Sequence, residues 1–282
     1  MNVFPGEWDS VYRGEGIEFD SIKPFELGDD PRDIDLTALL QSGDEEVIQR
    51  VEGRQMRIFI WADVSGSMQR SDLMFFPAKP EIRDIALGLL VYSAKNVYCP
   101  VGLCAFDKEI RRFFPAKFGE SQCDTILNWI IDQEYDGITP PADINNALSF
   151  LPGKVSRQSM VFFISDFKDR IFEEDFTDIL RPIIKIVDFI PVVIRDPLEK
   201  DVSLKRAVNI VVKDSEGRGS GEIYLTPQKL RDIQEISAKH LLHLEQNFRQ
   251  IGIRPLVLDS PQVSDCFQTL SGYFESKKRI KS

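Results

Sequence analysis

The sequence predicts an α/β fold, a mostly parallel sheet with helices on both faces. Three observations carry that expectation. Met56-Arg57-Ile58-Phe59-Ile60-Trp61-Ala62-Asp63 and Ser159-Met160-Val161-Phe162-Phe163-Ile164-Ser165-Asp166 are near-continuous apolar, β-prone runs, the pattern of strands buried on both faces. Each run ends in an acid. Between the apolar runs lie stretches of helical length, and crossovers of that kind bring the chain back into a parallel sheet whose faces the helices cover.

Taken in order, residues 1–55 show no clear periodicity before Thr37–Leu40 and are expected to form an irregular N-terminal arm packing on a main domain of residues 56–282. The arm carries Asp29-Asp30-Pro31-Arg32-Asp33, for which two readings stand: a solvated turn, or an ionic network that anchors the arm. The main domain opens with the strand 56–63 and a helix from Glu81 to Asn96. Tyr98–Phe106 and Ile110–Phe114 flank the turn Asp107-Lys108-Glu109 and read as a hairpin, which makes one edge strand antiparallel. A helix near Ser121–Glu134 follows, then a helix ending at Phe150, the strand 159–166, a helix near 172–186 and the buried strand Phe189–Ile194. The segment from Pro197 to Pro227 interrupts the alternation: Val208–Val212 and Glu222–Leu225 flank Gly217-Arg218-Gly219-Ser220-Gly221 and predict an inserted hairpin. No helix opens directly after these glycines, so a phosphate cradle is a weak reading of them. Gln228–Gly252 is a long helix with Leu230, Leu241, Leu244, Phe248 and Ile251 as its core stripe, and Arg254–Leu258 and Ser264–Lys277 close the domain as strand and helix.

The chemistry concentrates where the apolar runs end. Asp63-Val64-Ser65-Gly66-Ser67 sets a carboxylate and two hydroxyls on alternate residues of one loop, so they can turn toward a single point. Hard oxygen donors of this kind suit magnesium, which takes few protein ligands and keeps several waters. The bland competitor is an Asp-Ser turn, because Asp, Ser and Gly dominate turns. Thr139, in Gly137-Ile138-Thr139-Pro140-Pro141, and Asp166 end two further connections. Parallel strands align their carboxyl ends along one sheet edge, so Asp63, Ser65, Ser67, Thr139 and Asp166 are expected to converge there on one ion. Thr139 also reads as a helix N-cap with Pro140 at the first helical position, a role compatible with ligation. Leu73-Met74-Phe75-Phe76-Pro77 follows the loop and has two open placements: an apolar rim of a docking surface around the metal, or a segment folded onto the core.

Catalytic readings fare less well. His240 and His243 fall on the polar side of the long helix and read as solvated, and Val64-Ser65-Gly66 lacks the glycine that would make a nucleophile elbow. A haloacid dehalogenase-type phosphatase also starts from an acid after an apolar strand, but needs a second acid two residues on to protonate the leaving group. Ser65 stands there. No catalytic constellation is found, so the chain is not read as an enzyme; magnesium-dependent phosphate-ester hydrolysis stands as the alternative and a scaffold with a non-functional metal site as a third reading.

Asp63, Ser65, Ser67, Thr139 and Asp166 together resemble the metal-ion-dependent adhesion site of von Willebrand factor A domains. That resemblance implies Ser65, Ser67 and Thr139 as direct ligands, Asp63 and Asp166 either supporting those ligands or acting through water, and an open coordination position that takes an Asp or Glu from a partner protein. Gly14-Glu15-Gly16-Ile17-Glu18-Phe19, Gly28-Asp29-Asp30-Pro31-Arg32-Asp33-Ile34-Asp35, the Asp-x-Ser-x-Ser strand and Ser165-Asp166-Phe167 further resemble the bacterial family called domain of unknown function 58. Phe25 and Leu36 stand where that family more often has Tyr and Trp, and Ile138 replaces its second Gly before the Thr. The resemblance implies a von Willebrand A-like fold, a bound Mg2+ (or Mn2+ or Ca2+), and a protein partner such as a MoxR-type ATPase of the AAA+ group, with a role in assembling or activating other complexes.

Composition bounds the setting. A chain of 282 residues with 43% hydrophobic content can bury one large core. A formal charge of −10 argues against general binding to nucleic acid or anionic membranes. No apolar run reaches membrane-spanning length, no signal segment precedes the acidic start, and four scattered cysteines without a Cys-x-x-Cys read as reduced thiols. A cytoplasmic location is expected.

Overall fold

A computed structural model of the chain describes residues 2–4, 18–24, 46–51, 56–69, 79–132, 140–157, 159–169, 172, 176–200, 202–213 and 220–281. The chain divides into two compact units, Gly6–Met56 and Met1–Pro5 with Arg57–Ser282. In the smaller unit β1 (Glu18–Pro24) pairs antiparallel with β2 (Glu46–Val51), with an irregular register between Phe19 and Ser21. The stretch expected to be irregular therefore contains a strand pair. Its strands are short and far apart in sequence, so neither carries a local periodic signal strong enough to show. Asp29–Asp33 lies outside the described residues.

The larger unit is built on β3 (Ile58–Asp63), β4 (Val101–Phe106), β5 (Ile110–Lys117), β6 (Met160–Ser165), β7 (Asp188–Ile194) and β10 (Leu256–Leu258). Their order is β10-β7-β6-β3-β4-β5, parallel throughout except for β5, which pairs antiparallel with β4. Every residue of β3, β4 and β6 is buried, as the unbroken apolar runs require. Gly102 in β4 is needed for close approach: a Cβ there would lie 2.7 Å from both the Phe114 carbonyl oxygen and the Phe59 ring.

Helices cover both faces. Phe59, Trp61, Phe163, Phe189 and Val193 point to a core shared with α4 (Ile144–Phe150), α5 (Thr177–Ile184) and the long α6 (Pro227–Gln250). The Trp61 indole N–H donates to the Ala147 carbonyl at 3.2 Å, so the largest side chain of that face keeps its polar atom satisfied. On the other face Phe162 meets Phe274 of α7 (Val263–Lys281), and Phe274 packs edge-on against Phe4. There α7 also packs on α2 (Lys79–Asn96), which in turn contacts α3 (Glu120–Ile131). Burial of each such ring contributes on the order of 1.5–3 kcal/mol. The expected inserted hairpin is present as the antiparallel pair β8 (Val208–Lys213) and β9 (Ser220–Leu225); the tip glycines Gly217 and Gly219 lie outside the described residues.

Two elements differ from expectation. The helix near 172–186 starts only at Thr177. The rings of Phe172 and Phe176, in contact with each other, are buried against the core ahead of the first helical turn. The helix before Phe150 starts at Ile144, and its cap is the Asp143 side chain, which accepts from the Asn146 N–H at 2.9 Å. Pro140 is therefore not at a first helical position and the capping role expected of Thr139 falls to Asp143, whose carboxylate is the stronger acceptor.

Candidate metal centre

The carboxyl ends of β3 and β6 lie side by side, with Ala62 paired to Ile164. From β3 the chain moves first to β4 on one side and later to β6 on the other, so the crevice between β3 and β6 is a topological switch point, where ligands of open α/β sheets bind. Asp63 ends β3 there. One carboxylate oxygen accepts the Ser65 N–H at 2.9 Å and the other the Ser165 hydroxyl at 2.6 Å. The first bond closes the turn and the second ties the two strand exits together. Ser165 also accepts the Phe167 N–H at 3.0 Å, and Phe167 is held at φ 53°, unusual for a bulky residue, by rings that pack around it.

After Asp63 the chain enters the short helix α1 (Gly66–Gln69), with Met68 N–H donating to the Ser65 carbonyl. The Ser65 and Ser67 hydroxyl oxygens are 3.3 Å apart. Ser65 is fully buried while Ser67 is half-buried, so the pair spans from the interior to the outer side of the loop. Ligands at right angles on a magnesium ion, with bonds near 2.05 Å, stand about 2.9 Å apart. The Ser65 and Ser67 hydroxyls would have to close from 3.3 Å to about that spacing to hold such an ion as neighbouring ligands.

Thr139 lies outside the described residues. The next residue is tied to the loop, since the Gly66 N–H donates to the Pro140 carbonyl at 3.2 Å. The Ile144 N–H donates to Asp169 at 3.0 Å, linking the start of α4 to the connection after β6. Hydrogen bonds thus link the three connections to one another. Leu73–Pro77 is outside the described residues.

Asp166 is buried but differently supported. Its Oδ2 accepts from the Lys79 ammonium at 2.7 Å and its Oδ1 from the Lys168 N–H at 3.2 Å. Burial opposes ionisation of Asp166, and the charges of Lys79 and Lys168 overcome it, holding the carboxyl below the ordinary range. Asp63 has no such cation at its carboxylate among the described residues. Burial, with the negative Asp166 nearby, pushes it up to about 6 despite its bonds from Ser165 and Ser65. A buried carboxylate in that condition favours a cation beside it. No three His, Cys, Asp or Glu side chains gather as a metal cluster among the described residues, so any ion here depends on hydroxyls and water.

Sequence reasoning missed the polar support. Arg83, 1% exposed, donates to the carbonyls of Asp63 and Met68 at 3.4 and 3.3 Å and clamps both ends of the loop. Glu199 follows Pro197-Leu198 in a short turn; it pairs with Lys168, lies 3.9 Å from the Arg195 Nε and 4.0 Å from the Lys79 Nζ, and accepts the Ser237 hydroxyl at 2.8 Å. His240 is not the solvated side chain expected: it is half-buried beside this group, its Nε2 is buried with no hydrogen-bond partner among the described residues, and burial, aided by Lys168, lowers its pKa. His243 is half-buried too and contacts the Asn247 amide at 2.9 Å. Residues so far apart in sequence meet only through the tertiary fold, and nothing in their local pattern marks them.

The fold and these loops define an α/β protein with an oxygen-rich site at the switch point of a mostly parallel sheet. The chain belongs to the family described as protein of unknown function DUF58, which it matches over residues 21–241. Uncharacterized proteins of Mycobacterium tuberculosis and Mycobacterium bovis are 22% identical over 253 residues, spanning 89% of this chain and 77% of theirs. Among solved structures, BatB from Bacteroides thetaiotaomicron is 16% identical with a TM-score of 0.47 and covers 80% of this chain and 100% of its own. Proximal thread matrix protein 1 of the mussel byssus, in a structure with a zinc occupied MIDAS motif, is 16% identical with a TM-score of 0.40, over 79% of this chain and 46% of its own. No helix among the described residues is long and apolar enough to cross a membrane.

Proposed function

We propose that this protein is a von Willebrand A-like, metal-dependent protein-interaction module, in which a divalent cation at Asp63, Ser65, Ser67, Thr139 and Asp166 holds a partner's Asp or Glu. The carrying observation is the loop itself: two hydroxyl oxygens 3.3 Å apart beside a fully buried carboxylate that the Ser165 hydroxyl and the Ser65 N–H hold in place. Ser65 and Ser67 are the direct ligands in this reading, joined by Thr139. Asp63 and Asp166 have both oxygens engaged by protein donors and act on the ion through water. When bound, the ion supplies a Lewis-acidic position for a carboxylate, and magnesium is the favoured occupant because it keeps waters that such a ligand can replace.

The resemblance to domain of unknown function 58 points to a MoxR-type AAA+ ATPase as the partner, with a role in assembling or activating other protein complexes. Acting with such an ATPase, the protein would work in the cytoplasm, where ATP is supplied. The test is capture of partners on the immobilised chain from native lysate, in magnesium and in EDTA. An AAA+ ATPase retained with magnesium, released by EDTA and lost with a folded Asp63→Ala variant is the expected result. Equal retention in all three overturns metal-bridged binding.

A further inference from the structure

Lys79 is the first residue of α2, where a positive side chain meets the positive end of the helix and normally stays in water. Here it is 2% exposed and its ammonium lies 2.7 Å from Asp166 and 4.0 Å from Glu199. Such burial is tolerated only with close ionic partners. Glu199 has partners of its own in Lys168 and Arg195, so Asp166 is the carboxylate that Lys79 serves.

We infer that Lys79 is a tethered counter-cation that keeps the metal-loaded site positively charged and thereby makes it select an anionic, carboxylate-bearing partner. This rests on the metal-dependent reading above and deepens it. Among the described residues Asp63, Asp84, Asp166 and Glu199 supply four negative charges, and Lys79, Arg83, Lys168 and Arg195 supply four positive ones, before any metal enters. Two carboxylates facing a divalent ion would be neutral with it and would gain little from a third. With the Lys79 charge fixed against Asp166, the same ion is surplus positive charge in a poorly solvated pocket, where charges interact more strongly than in water. Lys79 thus disfavours the ion alone and favours the ion together with an incoming carboxylate. The carboxylate coordinates the ion, so the two bindings strengthen each other by the same factor, and the Lys79 charge makes the ion depend more on that second binding.

The probes are Mn2+ and acetate, titrated calorimetrically into the full chain. For the wild type, Mn2+ is expected to bind more tightly when acetate is present. Lys79→Gln, whose amide can still donate to Asp166, is expected to bind Mn2+ on the order of tenfold more tightly without acetate and to lose most of the acetate effect. Lys79→Arg keeps the charge and should behave as the wild type. A folded Lys79→Gln with unchanged or weaker Mn2+ affinity overturns the inference. So does a wild type whose Mn2+ affinity ignores acetate, a result that needs no variant. Wild type that binds no Mn2+ at all brings down the metal reading as well, which separates the two failures.

Discussion

Asp63 is the residue on which stability and binding pull in opposite directions. A fully buried carboxyl held at about 6 instead of 3.8 costs the ion-free fold about 3 kcal/mol once it is charged. Asp63→Asn removes that charge and keeps an acceptor for the Ser65 N–H, while its amide can donate to Ser165. The ion-free variant is expected to melt higher than the wild type near neutral pH, and added Mg2+ is expected to raise its melting temperature less. A variant less stable than the ion-free wild type would show that the carboxylate is already compensated. Arg83 contributes differently, since its two bonds reach backbone carbonyls at both ends of the loop. Arg83→Met should cost about 1–3 kcal/mol in urea unfolding, because the Asp63 and Met68 carbonyls lose a buried donor, while Asp84 is exposed enough to be solvated.

Among the elements, α6 joins the core to the ionic group. Its start is fixed by Thr226, whose hydroxyl accepts the Lys229 N–H at 3.1 Å, with Pro227 at the first helical position. Its later turns bury Leu244 and Phe248, the latter 4.9 Å from Phe176 and 5.7 Å from Phe167, centroid to centroid. Ser237, one face over, reaches Glu199. Thr226→Ala is expected to cost about 1 kcal/mol and leave metal affinity alone. Phe248→Ala should cost about 3–5 kcal/mol and weaken Mn2+ binding too, since Phe167 follows Asp166 directly and depends on that ring. Equal Mn2+ affinity in both variants would uncouple the core from the site. The sequence made the apolar half of this arrangement legible: Leu230, Leu244 and Phe248 recur at helical spacing, and the strands carrying Asp63 and Asp166 are unbroken apolar runs. The ionic half was hidden. Lys79, Glu199 and His240 each sit in sequence contexts that look solvated, and only the meeting of α2, α6 and the exit of β7 takes them out of water. Ser165 was visible as a neighbour of Asp166 but not as the hydroxyl that holds Asp63, because that bond crosses between strands nearly a hundred residues apart in the chain.

At the scale of the whole molecule, the switch-point crevice gathers groups whose titrations oppose one another, and magnesium should change their balance. The neutral form of His240 is favoured by burial, so its contribution is present above about pH 6.5 and is lost as pH falls below that value. Asp63 runs the other way: its folded pKa is raised, so its penalty is absent below 3.8 and grows as pH rises through about 6. Asp166 and Glu199 are held low, chiefly against burial by Lys79 and Lys168, and release their stability only as pH falls below the ordinary carboxylate range. Between about pH 5 and about pH 7 the Asp63 and His240 contributions to the ion-free protein therefore run in opposite directions. A divalent ion favours charged Asp63 and competes with its proton, so its stabilising increment should be small near pH 5 and larger near pH 7, reaching about 2.7 kcal/mol when the ion is at 100 times its dissociation constant. With magnesium the profile is expected to rise with pH, and in Asp63→Asn that magnesium-dependent rise should largely disappear. Urea unfolding at the two pH values, with magnesium and with EDTA, reads all of these at once. A magnesium increment of the same size at both would mean that the ion binds away from Asp63, and the loop would have to be read as an ordinary strand-ending turn.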